Sequence, residues 1–310
     1  MSRPRVCVVG SLHFDIIVRA PRLPRLGETL IGETWSWKPG GKGANQAMAA
    51  ARHGAEVELI GCLGDDDDAT RLRERIAAAG VGVSHVRTVP QGSGMSVAIQ
   101  QAGGDYAAVV VSGANGALDP AQVAGCGDAL GACRVLVLQN EVAAHANAAA
   151  ARLAREAGAT VILNAAPARP LEGLAGLIDV LVVNAVEAEM LGAAPVGDLG
   201  SATEAADHLR DVAPAVIVTA GAAGLAAASD SGTLSLTAHP VARPQTHGAG
   251  DAFVGALAAR LAAGDPHSDA LGYANAAAAL HVGRREADRD ALAPADVQRL
   301  LADVPATTAG

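Results

Sequence analysis

Aromatic side chains are nearly missing: two Phe, two Trp and two Tyr serve a chain of 310 residues. A core without large rings has to be filled by small aliphatic groups, and the abundance of Ala, Gly and Val suits helices and strands packed at close range. Cysteine is also sparse. Cys7, Cys62, Cys126 and Cys133 show no CxxC spacing, and Cys7 and Cys62 lie in apolar strand-like runs, so small core residues are expected rather than disulfides. There is no run of basic residues and the net charge is -9, which excludes the dense Lys/Arg surface that nucleic acid requires but leaves room for a small anionic ligand. No apolar span reaches membrane length and no apolar signal core follows Met1, so the expectation is a cytoplasmic protein without a membrane partner. Neither a GxSxG elbow nor a GxGxxG fingerprint occurs, and no His pairs with Cys, Asp or Glu at a metal-ligand spacing.

What is present is an alternation of short β-rich runs with longer Ala-rich helical stretches. Strands are predicted at Val6–Val9, Val57–Cys62, Val135–Leu138, Thr160–Leu163, Val180–Val183 and Val216–Thr219. Helices are predicted at Ala44–His53, Ala69–Ala79, His145–Ala157, Ala202–Arg210, Ala252–Ala263 and Ser268–Val282. Such alternation implies parallel βαβ units, hence an α/β fold with a doubly wound, mostly parallel sheet flanked by helices. Two segments, about 16–38 and 93–111, break the rhythm and are expected to leave the main sheet as a small β-sheet cover within a single domain spanning 1–310. Alternation in Glu33–Lys38 puts Trp35 and Trp37 on one face and Thr34, Ser36 and Lys38 on the other. Whether the two Trp cover the small sheet's own core, a second copy or a ligand stays open.

Four motifs carry chemistry. Thr246-His-Gly-Ala-Gly-Asp251 is a Gly-rich loop opening into a helical run, where bare backbone amides and the helix N-terminus favour an anion. Asp251 beside such a loop suits a proton acceptor for an attacking hydroxyl; the bland alternative is a helix cap. Pro39-Gly-Gly-Lys-Gly-Ala-Asn-Gln46 is not a Walker A loop, because Gly43 follows Lys42 where Ser or Thr would be required. Its polar Lys42 and Asn45 beside bare backbone suit several hydroxyls, or simply a solvated helix start. Asn184-Ala-Val-Glu187 and Thr219-Ala-Gly-Ala-Ala-Gly224 each follow an apolar strand, at the carboxyl end where ligands of α/β sheets bind; a surface helix start and an ordinary tight turn are the alternatives.

Taken together and in this order, the motifs GGKGAN, NxxE, TxGxxG and GAGD resemble the ribokinase-like (PfkB) carbohydrate kinase family. The resemblance runs from Val9-Gly-Ser11 to Ala274-Asn-Ala-Ala-Ala-Ala-Leu280 and includes Gly61-Cys-Leu-Gly-Asp65, Ser112-Gly-Ala-Asn115, Leu138-Gln-Asn-Glu141 and Leu163-Asn-Ala-Ala-Pro-Ala-Arg169, which point to the ribokinase branch. It implies ATP-dependent phosphorylation of a hydroxymethyl group on a pentose-like sugar, with Mg²⁺, and a β-lid that often clasps a second copy into a homodimer. By resemblance, Asp15, Gly41, Lys42, Asn45 and Glu141 hold sugar hydroxyls, Asp251 is the base, and Gly248, Ala249 and Gly250 form the anion hole. Asn184, Thr219, Gly221 and Gly224 match nucleotide positions, Glu187 a water-mediated Mg²⁺ position, and Asn275 falls in a helix lining the adenine pocket.

Two departures modify this expectation. Gly10-Ser-Leu-His-Phe-Asp15 places His13 where the family's Asn meets the sugar, which argues against ribose itself. Gln245-Thr246 replaces the family's Asp-Thr, and Val282–Asp288 lacks its usual pattern; both regions contribute to the family's monovalent-cation site, so no potassium dependence is expected and the loop is expected to be held through His247 or Arg284. A nucleoside kinase would need an aromatic slot built from Phe14, Trp35, Trp37 or Tyr106. A sugar-phosphate kinase would need a basic cluster, for which only Arg19, Arg22 and Arg25 are candidates. A catalytically silent sugar or nucleotide sensor would keep the fold without needing Asp251.

Overall fold

The computed structural model describes residues 3–101, 106–171, 173–242 and 247–303. The strands in chain order are β1 (Arg5–Val9), β2 (His13–Ala20), β3 (Thr34–Gly40), β4 (Glu56–Leu63), β5 (Val81–Gly82), β6 (Val86–Thr88), β7 (Gly94–Gln101), β8 (Tyr106–Val111), β9 (Val135–Gln139), β10 (Thr160–Asn164), β11 (Val180–Asn184), β12 (Ala215–Thr219), β13 (Gly224–Ser229) and β14 (Gly232–Thr237). The helices are α1 (Lys42–Arg52), α2 (Asp67–Ala78), α3 (Pro120–Ala124), α4 (Gly127–Ala132), α5 (Ala144–Glu156), α6 (Ala185–Met190), α7 (Leu199–His208), α8 (Ala249–Ala263), α9 (His267–Gly283) and α10 (Pro294–Asp303).

The main sheet runs β14-β13-β12-β11-β10-β9-β1-β4-β5, with β6 also beside β4. From β12 to β5 neighbouring strands are parallel, whereas β13 turns back antiparallel between β12 and β14. Because β1 pairs with β4 on one side and β9 on the other, the winding direction reverses at β1. Ligand crevices of open α/β sheets lie outside the carboxyl ends of the strands at such a reversal.

Alternate residues of each buried strand point to opposite faces. Val6, Val8, Leu59, Val137 and Ile162 pack under α1, α8 and α9, whereas Cys7, Val9, Ile60, Leu136 and Leu163 pack under α5 and α7. All four cysteines are free and buried. On the first face α1 and α8 approach so closely that a Cβ at Gly255 would lie 2.4 Å from the Ala49 Cβ and 2.6 Å from the Gln46 carbonyl oxygen. Small residues set that separation.

A second sheet has the order β3-β2-β7-β8. Its first strand begins at His13, ahead of the expected start near 16, so His13 and Asp15 lie on this sheet rather than on the connection from β1. Pairing of Ile16 with Trp37 and Val18 with Trp35, and of Phe14, Ile16 and Val18 with Met95, Val97 and Ile99, gathers an apolar face. The opposite face carries His13, Asp15, Lys38 and Ser96. Trp37 stacks on Phe14 with ring centroids 4.6 Å apart, so it serves the sheet's own packing, while Trp35 is exposed. Arg22 is engaged in an ion pair by Glu28, which also accepts from the Arg25 backbone N–H.

Candidate active site

The chain leaves β1 at Gly10-Ser11 and is crossed by the loop that starts α1. Gly41 caps α1 with φ +85°, and a Cβ there would sit 2.8 Å from the Ser11 carbonyl oxygen, so only glycine permits the crossing. The result is a polar junction. Glu141, just past β9, accepts a hydrogen bond from the Ser11 hydroxyl and another from the Lys42 backbone N–H at 2.9 Å.

From the second sheet, Asp15 accepts a hydrogen bond from the Ser96 hydroxyl at 2.6 Å. Burial pushes its carboxyl above the ordinary carboxylate range, opposed by the Ser96 bond and by His13 and Lys38. His13 is 4% exposed, and its Nε2 finds no hydrogen-bond partner among the described residues. Lys38, the cross-strand neighbour of Asp15, forms an ion pair with Glu286.

Asp251 is the third residue of α8, whose cap is Gly248 at φ +79° with no side-chain cap. Its carboxylate does not cap the helix. Oδ2 accepts from Asn45 Nδ2 at 3.0 Å and Oδ1 from Gln46 Nε2 at 2.9 Å, both on α1. Burial raises the Asp251 carboxyl above its ordinary range against the pull of Lys42 and the two amides. The first N–H groups of a helix have no partner within it, so α8 directs its amides at Ala249 and Gly250 outward beside this carboxylate. The preceding His247 carbonyl accepts from Arg289 Nη1 at 3.1 Å. Arg284, expected to steady this loop, is instead paired with Asp296. Gln245 and Thr246 lie outside the described residues.

The remaining residues singled out in the sequence sit along the carboxyl ends of β11 and β12. Asn184 and Glu187 form a reciprocal capping box on α6, with bonds of 2.8 and 2.9 Å. That satisfies the local helix start, yet Glu187 also senses the charges of Lys42 and Asp251, so its carboxylate faces the same space; burial raises it. Thr219 is the register partner of Asn184. Gly221 has φ +56° and open space around a hypothetical Cβ, whereas a Cβ at Gly224 would fall 2.0 Å from the Leu236 carbonyl oxygen, so Gly224 is needed for the β13–β14 hairpin itself. Asn275 donates to the Thr237 carbonyl at 2.9 Å, tying α9 to the end of β14. Among the described residues no cluster of three or more His, Cys, Asp or Glu side chains could cage a metal. The single Glu187 carboxylate beside this space would suit a hard cation carried mainly by phosphate oxygens and water.

Ser11, Gln46, Ser96 and Arg289 received no role from the sequence. Only their position beside a motif residue, or in a polar turn, could have drawn attention to them; their partners are far away along the chain.

Comparison with known proteins identifies the family. The pfkB family carbohydrate kinase family matches residues 3–293. A ribokinase of Haemophilus influenzae is 33% identical over 288 residues, covering 92% of this chain and 94% of that protein. A deoxyribokinase of Salmonella typhi is 33% identical over 264 residues, covering 82% of this chain and 84% of that protein. Among solved structures, Arabidopsis thaliana ribokinase complexed with ribose and ATP superposes with a TM-score of 0.87 at 29% identity, covering 97% of this chain and 99% of that one. With a match of this extent around a carboxylate set beside a helix N-terminus, the chain belongs to the pfkB family and is an ATP-dependent carbohydrate kinase.

Proposed function

We propose that the enzyme transfers the γ-phosphoryl group of ATP to a hydroxymethyl group of a pentose-like sugar, with Asp251 as the base. The observation that carries this reading is the double hold on Asp251 by Asn45 and Gln46 beside the first amides of α8. The acceptor oxygen bonds to the γ-phosphorus as the bond to ADP breaks, and the hydroxyl proton passes to Asp251. Backbone N–H groups at Gly248, Ala249 and Gly250 meet the charge on the transferred group. Asp15, Gly41, Lys42, Asn45 and Glu141, with His13, orient the sugar.

Asn184, Thr219, Gly221, Gly224 and Asn275 border the nucleotide, and Glu187 would hold Mg²⁺ through water. The ion's contribution when bound is to neutralise phosphate charge. The second sheet acts as a lid over the acceptor, its polar face inward. Its apolar face, with Trp35 at 68% and Val109 at 69% exposure, supports a homodimer joined lid to lid. We place the enzyme in the cytoplasm, where ATP is supplied.

Phe14 and Trp37 are spent on each other, on the face away from Asp15, which favours a sugar over a nucleoside as acceptor. ADP release measured across pentoses, hexoses and nucleosides tests the assignment. A pentose with the highest kcat/KM supports it; a nucleoside preferred over every free sugar, or no turnover with any acceptor, refutes it.

A further inference from the structure

Gln46 is completely buried, and all the hydrogen-bonding atoms of its side-chain amide are used. Its Oε1 accepts from Gln139 Nε2 at 2.8 Å, at the end of β9. Its Nε2 donates to Asn164 Oδ1 at 3.0 Å, at the end of β10, and to Asp251 Oδ1 at 2.9 Å. Asn164 is in turn anchored by its Nδ2, which donates to the Val182 carbonyl of β11 at 3.2 Å.

The polarity of this chain of amides is dictated from one end. An ionised carboxylate only accepts, so Gln46 must turn its NH₂ toward Asp251. Its oxygen then faces Gln139, which must present its own NH₂, and the Gln139 oxygen is left buried against Gly10 without a partner among the described residues. A buried acceptor without a partner carries a desolvation cost, which the network bears while the Gln46 NH₂ stays turned to Asp251.

From this geometry we infer that Gln46 is a positioning residue for phosphoryl transfer: it locks the Asp251 carboxylate to the strand ends β9 and β10, holding Oδ1 and leaving the remaining lone pairs for the acceptor hydroxyl. The inference rests on Asp251 being the base. Gln46 also favours the ionised carboxylate, opposing the effect of burial.

The test compares Gln46→Met with Gln139→Met, which removes a neighbouring bond of the same network without touching Asp251. Gln46→Met should lower kcat by ~10–100-fold, the scale of a small misplacement at a reacting centre, with KM for ATP and sugar changed less than about 3-fold. The acid limb of its kcat–pH profile should move to higher pH, because a donor that stabilised the ionised form is gone. In Gln139→Met that limb should stay where it is in the wild type. A second measurement needs no core variant: in the wild-type enzyme the Gln46 side-chain amide proton resonances should titrate along the acid limb of kcat, and that titration should vanish in Asp251→Asn. A kcat for Gln46→Met within about 3-fold of wild type, a shift in Gln139→Met as large as in Gln46→Met, or a flat amide titration overturns the inference. If Asp251→Asn itself keeps full turnover, the failure lies with the assignment of the base.

Discussion

Replacing Asp251 by Asn separates chemistry from stability. Asn keeps the shape of the side chain but cannot take the hydroxyl proton, and loss of a positioned base lowers turnover by ~10²–10⁴-fold. Stability should move little, or in the opposite direction. Burial raises the Asp251 carboxyl above its unfolded value despite Lys42, Gln46 and Asn45. In the window between the ordinary carboxylate value and the raised one, the folded chain holds a proton that the unfolded chain has released, so stability falls as pH rises through that window. Above it the full penalty remains. Asn carries no charge to bury, although its amide turns one donor toward a donor of Asn45 or Gln46, a loss of ~1 kcal/mol. The thermal midpoint of the variant near neutral pH should therefore be within a few degrees of wild type, and relatively higher there than at acid pH. Wild-type kcat should fall on acidification with an apparent pKa above that of an ordinary Asp, because the base must be ionised. Turnover is read from ADP release at saturating sugar and ATP, and nucleotide affinity from calorimetry. Turnover of Asp251→Asn within about 3-fold of wild type removes the base; a collapse of nucleotide binding or of folding makes the carboxylate structural.

Four further outcomes are expected. Gly255→Ala forces a Cβ against Ala49, and overpacking of ~1–3 kcal/mol should lower the thermal midpoint together with kcat; an unchanged kcat in the folded variant would show that α1 and α8 can separate without moving Asn45 and Gln46. His13→Asn should raise kcat/KM for D-ribose, which should be a poor substrate of the wild type, since an imidazole cannot reproduce an amide's donor and acceptor; a wild-type enzyme that prefers ribose over other pentoses contradicts this. Activity should change little between sodium, potassium and bulky organic-cation buffers of equal ionic strength, because Gln245 lacks the carboxylate and Arg289 already places a cation at the His247 carbonyl; saturable activation by potassium alone refutes it. Trp35→Glu should shift the sedimentation equilibrium from dimer to monomer, and a wild-type protein that is monomeric at micromolar concentration ends the lid-to-lid proposal.

The six parallel strands from β12 to β4 could be read because each is a short apolar run buried on both faces, and the helices between them because Ala dominates their sequence, whereas the short β5 and β6 carry no such run. β13 escaped notice: Gly224-Leu-Ala-Ala-Ala-Ser229 is poor in β-branched residues, and it becomes a strand through pairing with β12 and β14. The start of β2 is hidden because His13 and Asp15 interrupt an apolar run, yet they share one face of an alternating strand. Among the site residues, Asp251 and the glycines of both loops could be found from local chemistry. That Asn45 and Gln46 hold Asp251 could not, since Gln46 lies 205 positions away and meets it only through the packing of two helices. Of His247 and Arg284, named to steady the loop, His247 is engaged through its own carbonyl, and its partner Arg289 could not be read from a segment with several arginines, where the turn at Glu286–Ala291 decides which one faces the loop.

The close seam between α1 and α8 gives the scarcity of large side chains a kinetic meaning. Two hydrogen bonds near 3 Å join residues on separate helices, and the spacing that permits both is set where Gly255 meets Ala49. Gly255 and Ala49 carry no chemistry themselves, but they act as the ruler for the residues that hold Asp251. A methyl group added at Gly255 would meet Ala49 and the Gln46 carbonyl and is expected to lengthen both bonds together. With Asp251 as the proposed base, variation that would be harmless in the other layer of the core should be read out here as lost turnover, so that the least reactive residues would be the ones with the narrowest tolerance.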